Sequence, residues 1–406
     1  MMISFMFPVT SKINGGVQSL IISYIEYFAK SKTQKVRLYD YSTGLIINQL
    51  SENARNFIDF ICLDNHKSSI PNKGNEVFVL TDFLWQKYPY YFQCNNNVRL
   101  LMMDVFYPTW DSFDRVKNIL TMPFFKKYTV KLLKEKKGVC FIEAAGMNKF
   151  NEFSLADFDD SQLVPIPINL DNCVDKSPWE ILSSGKLTIG YLGRAEKWKV
   201  TPFIKLIEDL VRSELLNNVN LKVYTNDQNA FKKIIDVNHY QLRKKVDIEF
   251  HENFSGDKLT AHLIENVDIG YAMGTAALLM ASLKKPTILC DFSEFYFPSD
   301  YKYRWLYDAE KGNVGLKLND ISNFNGRFDL DDLIKQDLGL ISSKCYFHVK
   351  DNHDIEKVAS KLVDCCHSTM LKVCDLENSV LKQQLLLYKI KRILRSGDKH
   401  FGWAIK

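Results

Sequence analysis

Three turns hold the residues of this 406-residue chain whose types and spacing suit anion chemistry. Thr10-Ser11-Lys12-Ile13-Asn14-Gly15-Gly16 follows the apolar opening run, GYLGRAEKWK spans Gly190 to Lys199, and Met273-Gly274-Thr275-Ala276 follows the apolar run 267–272. Each stands just before a segment with helical periodicity. Glycine lets the backbone come close to a ligand, and a helix start offers unpaired N–H groups with the positive end of the dipole. Arg194 can fork two hydrogen bonds onto a phosphate, and Lys199 adds a point charge five residues later. Gly274, Thr275 and Ala276 would add amides and a hydroxyl. Any one of these turns reads as well as a tight strand-to-helix connection. Three at equivalent strand ends favour a shared anion.

Acid–base chemistry needs a carboxylate or imidazole within reach of a reacting hydroxyl. Asp104 closes the run 98–103 and Glu143 closes 139–142, which makes them the first and second candidates for a base; the alternative for each is a turn cap. His251 and Glu252 follow the run 246–250, and Asp291 and Glu294 follow 287–290. No G-x-G-x-x-G follows either opening strand, so the nicotinamide and flavin fingerprint is missing. The nine cysteines include no CxxC pair, and the adjacent Cys365-Cys366 make a poor metal site. Their irregular spacing, with no basic region before the apolar start, suits reduced thiols in a cytoplasmic setting.

The elements that must position these residues form a repeating pattern. Apolar residues make up 46% and charged residues 25%, an ordinary globular balance, and the length suits two domains. The formal charge of +5 permits anionic partners without requiring them. Basic residues are dispersed rather than striped, which argues against nucleic acid. Short apolar runs alternate with helix-period runs, the pattern of parallel sheets covered by helices. Strands are expected near 3–7, 36–39, 57–63, 77–81, 98–103 and 139–143, with helices near 17–30, 83–91 and 124–136. The proline-rich 162–170 reads as an extended connector. The pattern restarts with strands near 187–192, 221–224, 246–251, 267–272 and 287–290, and helices near 201–215, 229–237, 258–266 and 276–283. Thr201 is placed to cap its helix, with Pro202 at the first helical position. This predicts an N-terminal Rossmann-like domain over 1–170, a linker over 171–186, a second Rossmann-like domain over 187–350 and a helical tail over 351–406. Ligands of such sheets gather at the carboxyl ends of strands, at the switch point of strand order, and the cleft between two such domains is the expected site.

The Gly-Gly after the first strand, GYLGRAEKWK and DIGYAMGTAALLMASLKKPTIL together resemble the GT-B glycosyltransferases, and within them the family-four group. The resemblance implies an α/β GT-B architecture of two doubly wound domains facing a central cleft, with the tail packing back toward the first domain. It implies that Arg194 and Lys199 grip the diphosphate of a nucleotide-sugar co-substrate. Gly15 and Gly16 would lie beside the phosphates and sugar, and Gly274, Thr275 and Ala276 would bind the diphosphate through amides. The family also carries two glutamates, which would fall at Ala272 and Leu279. Both are missing here. Ribose binding then passes to Asp291 or Glu294, and the stereochemical outcome does not carry over. His251 and Glu252 would touch the donor sugar or phosphate, and Asp82 with the aromatic segment 85–91 would line an acceptor groove.

The expectation is thus sugar transfer without a metal or resident cofactor, onto a glycan or lipid-linked acceptor of a bacterial surface polysaccharide. A nucleotide-sugar epimerase of the same fold, or a scaffold that has lost catalysis, are the alternatives. The tail LLLYKIKRILRSGDKHFGWAIK interleaves basic and apolar residues. That composition suits either peripheral contact with the cytoplasmic membrane face or an ordinary packed helix.

Overall fold

The computed structural model describes residues 1–7, 16–64, 75–81, 98–104, 130–154, 157–170, 186–214, 218–243, 245–252, 254, 256–293, 297–310, 312–318 and 328–378. The chain divides into two compact units. Unit 1 joins Met1–Pro167 to Ile355–Lys406, and unit 2 is Ile168–Asp354.

Unit 1 is built on six parallel strands: β1 (Met2–Met6), β2 (Lys35–Asp40), β3 (Asp59–Cys62), β4 (Glu76–Thr81), β5 (Arg99–Asp104) and β6 (Val139–Phe141). Their order is β3-β2-β1-β4-β5-β6, so the direction of winding reverses between β1 and β4. Helices α1 (Gly16–Ser31), α2 (Leu45–Gln49), α3 (Glu52–Phe57) and α4 (Ala144–Ser154) connect or cover them. The strands are apolar along nearly their whole length because both faces of a parallel sheet are covered; all six residues of β4 are buried. Polar exceptions pair across neighbouring strands. Glu76 on β4 accepts from Ser4 on β1 at 2.7 Å and from Arg37 on β2 at 2.7 Å.

The end of the chain belongs to this same core. Helix α11 (Ile355–Ser368) buries Ile355, Val358, Ala359, Leu362, Cys365 and Cys366 in it. Beyond α11, Leu100 donates its N–H to the Leu371 carbonyl at 2.9 Å, and Val373 donates to Val98 at 3.1 Å. The segment therefore runs antiparallel along the start of β5. Residues 379–406, which include the whole basic and apolar segment LLLYKIKRILRSGDKHFGWAIK, lie outside the described residues.

Unit 2 carries a five-stranded parallel sheet of β7 (Leu187–Leu192), β8 (Val219–Thr225), β9 (Ile248–Glu252), β10 (Ile269–Ala272) and β11 (Thr287–Leu289), ordered β11-β10-β7-β8-β9. Its helices are α5 (Lys197–Arg212), α6 (Gln228–Arg243), α7 (Gly256–Asn266), α8 (Thr275–Ser282), α9 (Leu330–Ile334) and α10 (Leu338–Asn352). The chain winds from β7 through β8 to β9, then returns past them to β10. The switch point thus lies between β7 and β10.

Several expected boundaries move. Helix α5 starts at Lys197 rather than Thr201, so Pro202 lies inside it and Thr201 turns its hydroxyl back to the Lys197 carbonyl at 2.8 Å. Thr201 is not a cap. At that position proline has no N–H to give to the Trp198 carbonyl, and its ring crowds that carbonyl. The expected strand 57–63 yields its first residue to α3, where Ser51 caps the helix through the Ala54 N–H. Sequence periodicity does not reveal the short helices α2 and α3, since five or six residues span too few turns to show one. The expected helix 83–91 and residues 124–129 of the helix over 124–136 lie outside the described residues; 130–135 are helical.

Candidate functional site

Strands β7 and β10 are hydrogen-bonded neighbours, with Leu192 opposite Ala272. Parallel strands lie about 4.8 Å apart, so the turns leaving Leu192 and Ala272 emerge side by side at the carboxyl edge. One carries Gly193-Arg194-Ala195-Glu196 into α5. The other carries Met273-Gly274 into α8. The fold thus brings two of the three turns singled out in the sequence to one switch point.

Gly274 caps α8 with φ +60° and ψ −143°, a conformation that is essentially confined to glycine and strains other residues by about 1–3 kcal/mol. Its N–H donates to the Val314 carbonyl at 2.6 Å, and a Cβ there would meet no atom of the described residues within 4 Å. Thr275 is the first helical residue rather than the cap, and no side chain caps this helix. Among the described residues no acceptor takes the amides of Thr275 and Ala276, as expected at a helix start without a side-chain cap.

Across the switch point, Arg194 is half-buried and its Nη1 lies 3.3 Å from Glu196 Oε1. Lys199 stands in the first turn of α5, with its Nζ 4.8 Å from the centre of the Trp198 ring. Burial, then the nearby Arg194 charge, push the Lys199 ammonium down to about 8, with Glu196 opposing them. Gly193 has its own local reason. A Cβ there would fall 2.6 Å from the Tyr191 hydroxyl, and that buried phenol donates to the Lys199 carbonyl. Tyr191 is a residue that sequence reasoning missed, because a tyrosine in a strand reads only as core.

The other candidates scatter. His251 lies against the Tyr224 ring, with centroids 4.9 Å apart and an 18° interplanar angle, and 4.6 Å from His262. Its Nε2 is 3.1 Å from Glu249 Oε1. Burial holds its pKa below the ordinary histidine value, with Glu249 pulling the other way. Glu252 accepts the Gln228 N–H at 2.8 Å, at the start of α6. Asp291 is almost fully buried; Arg304 and the Leu316 N–H share one oxygen, and the Tyr301 hydroxyl takes the other at 3.1 Å. It is a holding residue rather than an open carboxylate. Glu294, Gly15, Asp82 and the segment 85–91 lie outside the described residues.

In unit 1, Gly16 is the exposed first residue of α1, and a Cβ there would meet none of the described residues within 4 Å. Asp104 ends β5 directly opposite Phe141 of β6, and Glu143 follows two residues later. Both candidate bases therefore lie at adjacent strand ends. Burial alone pushes the Glu143 carboxyl up to about 8.

Ala272 and Leu279, where the family-four pattern places glutamates, serve packing. Ala272 is fully buried, and Leu279 packs on a cluster of Tyr224, Leu263, Val267 and Met280.

No family model and no curated protein matches the sequence. Solved structures do match. A glycosyltransferase from Rickettsia africae is 14% identical, with 89% of this chain and 97% of that one covered at a TM-score of 0.57. Anabaena HepE in complex with UDP and glucose is 12% identical, covering 91% and 100% at 0.58. A UDP-forming trehalose-phosphate synthase from Burkholderia xenovorans is 10% identical, covering 91% and 99% at 0.57. The fold is GT-B. Two doubly wound units and C-terminal helices follow the same course over nearly the whole length of these GT-B chains, and the likeness speaks to the fold.

Proposed function

We propose that this GT-B chain transfers a sugar from a nucleotide-sugar donor to a glycan or lipid-linked acceptor. One observation carries the reading: the Arg194 turn and the Gly274 helix start emerge from neighbouring strands at the switch point of unit 2. A guanidinium, an ammonium and free helix amides on one edge form a receptor for a diphosphate. That Anabaena HepE was solved with UDP and glucose supports UDP as the first nucleotide to try.

In the transfer, the bond from the anomeric carbon to the phosphate oxygen breaks and a bond to the acceptor oxygen forms. The acceptor proton goes to a base, and the nucleoside diphosphate departs with the extra negative charge. Arg194, Lys199 and the amides of Thr275 and Ala276 stabilise that developing charge, and fixed donors aimed at developing charge usually lower a barrier more than any other single effect. Protein cations suffice for this role, so no metal is invoked. Asp104 and Glu143 are the candidates for the base. Synthesis of a bacterial surface polysaccharide, at the cytoplasmic face of the membrane, is the setting we favour, because the basic and apolar tail suits anionic lipid. Among the described residues, no helix is long and apolar enough to cross a membrane.

Titration calorimetry with UDP, GDP and CMP, alongside turnover of Arg194→Ala, tests the reading. Binding of one nucleotide and a collapse of turnover in a folded variant are expected. No binding of any of the three favours a scaffold that has lost catalysis, and near-normal turnover of Arg194→Ala defeats the assignment.

A further inference from the structure

Arg194 is suspended between two amides that are both anchored on the end of β8. On one side, the Gly193 N–H donates to the Tyr224 carbonyl at 3.1 Å. On the other, the Ala195 N–H donates to Asn226 Oδ1 at 3.1 Å, across 31 residues of sequence. Inside the turn, the Glu196 N–H closes onto the Arg194 carbonyl at 2.8 Å. The first anchor is a main-chain to main-chain bond. The second is a single side-chain oxygen.

The residue that supplies this oxygen is itself held firmly. Asn226 follows the last residue of β8, Thr225, which pairs with Glu252. It precedes Asp227, whose carboxylate accepts the Ala230 N–H at 2.8 Å and so caps α6. Glu252 reaches over from β9 to take the Gln228 N–H at 2.8 Å and so braces the β8–α6 turn. The backbone on both sides of Asn226 is fixed by the strand and by a capped helix.

We propose that Asn226 is a positioning residue for the diphosphate grip, fixing the peptide that carries Arg194 so that its guanidinium faces the start of α8. The inference rests on the nucleotide-sugar reading above. Asn226 touches no reacting atom. An exposed hydrogen bond of this kind contributes little to the fold, whereas a misplacement of about 1 Å in a binding group can cost roughly 10²-fold in rate. Asn226 therefore matters more to catalysis than to stability.

Three measurements on the full chain test this. First, amide hydrogen exchange over residues 193–199 without nucleotide should quicken in Asn226→Ala and return toward wild type in Asn226→Asp, which keeps the acceptor oxygen. Second, UDP affinity should weaken about tenfold and donor kcat/KM should fall about 10- to 100-fold in Asn226→Ala, with the thermal midpoint nearly unchanged. Third, Asn226→Ala should cost nothing further in an Arg194→Ala background, because coupled residues are not additive. Unchanged exchange, wild-type affinity, or the same penalty in both backgrounds would overturn the inference. If wild-type protein binds none of UDP, GDP and CMP, the nucleotide reading falls, and the inference falls with it. If wild-type protein binds UDP but Asn226→Ala behaves as wild type, the inference alone fails.

Discussion

The phenol of Tyr191, buried beneath Gly193, donates its hydrogen bond to the carbonyl of Lys199. This one bond ties the end of β7 to the first turn of α5, and it sets where the Lys199 side chain begins. The glycine is required because the phenol fills the place of its Cβ. Sequence and site are linked here by a residue that never meets the ligand.

Tyr191→Phe should therefore loosen Lys199 without emptying the core. The lost bond is worth about 0.5–1.5 kcal/mol of stability, and the donor KM should rise several-fold while kcat changes less. Gly193→Ala should be worse on both counts, since its new methyl would collide with the phenol. Steady-state kinetics and thermal melts check this; an unchanged KM in both variants removes Tyr191 from the site.

Lys199 gives a pH signature. Burial and the Arg194 charge hold its ammonium down at about 8. The cation is present below that pH and lost above it, so UDP affinity should be greatest near neutrality and fall as pH rises through about 8. A bound diphosphate favours the protonated form and moves the midpoint upward. Lys199→Arg keeps its charge throughout and should flatten the slope. Calorimetry from about pH 6.5 to about pH 9.5 reads this directly, and a flat wild-type profile contradicts it.

Glu143 makes an opposite prediction. Its carboxyl is raised to about 8 by burial, so the folded state prefers the protonated acid. The stability this gives is fully present below the ordinary glutamate range and is lost as pH rises through about 8. Glu143→Gln should remove that slope from the melting curve. If Glu143 is the base, wild-type turnover climbs through about pH 8, and Glu143→Gln loses roughly 10²–10⁴-fold. Normal turnover of Glu143→Gln assigns the base to Asp104 instead.

The Asp291–Arg304 pair tests the core of unit 2. Both side chains are buried, and Tyr301 and the Leu316 N–H complete the carboxylate's bonds. Arg304→Met strands a buried charge and should cost about 3–5 kcal/mol, seen as a lowered urea midpoint. Asp291→Leu combined with Arg304→Met should recover part of that loss. A single-variant cost under about 1 kcal/mol would show that the pair is well hydrated.

Sequence alone determined the alternation of strands and helices, because a strand buried on both faces must be apolar and its crossover helix must be periodic. It also marked Gly193-Arg194, Lys199 and Gly274-Thr275 as a set, since such turns recurring at equivalent strand ends favour a shared anion where any one alone does not. Strand order is different. That β10 returns beside β7, and so sets Gly274 next to Arg194, depends on long-range packing that no local spacing records. The same holds for Asp291, a strand-end carboxylate in sequence and a buried partner of Arg304 in the fold. Nor could spacing show that Asn226, 31 positions from Ala195, supplies the oxygen that holds it. Local patterns decide which segments form. Only the tertiary structure decides which side chains remain free to act, because hydrogen bonds made across the fold consume the rest.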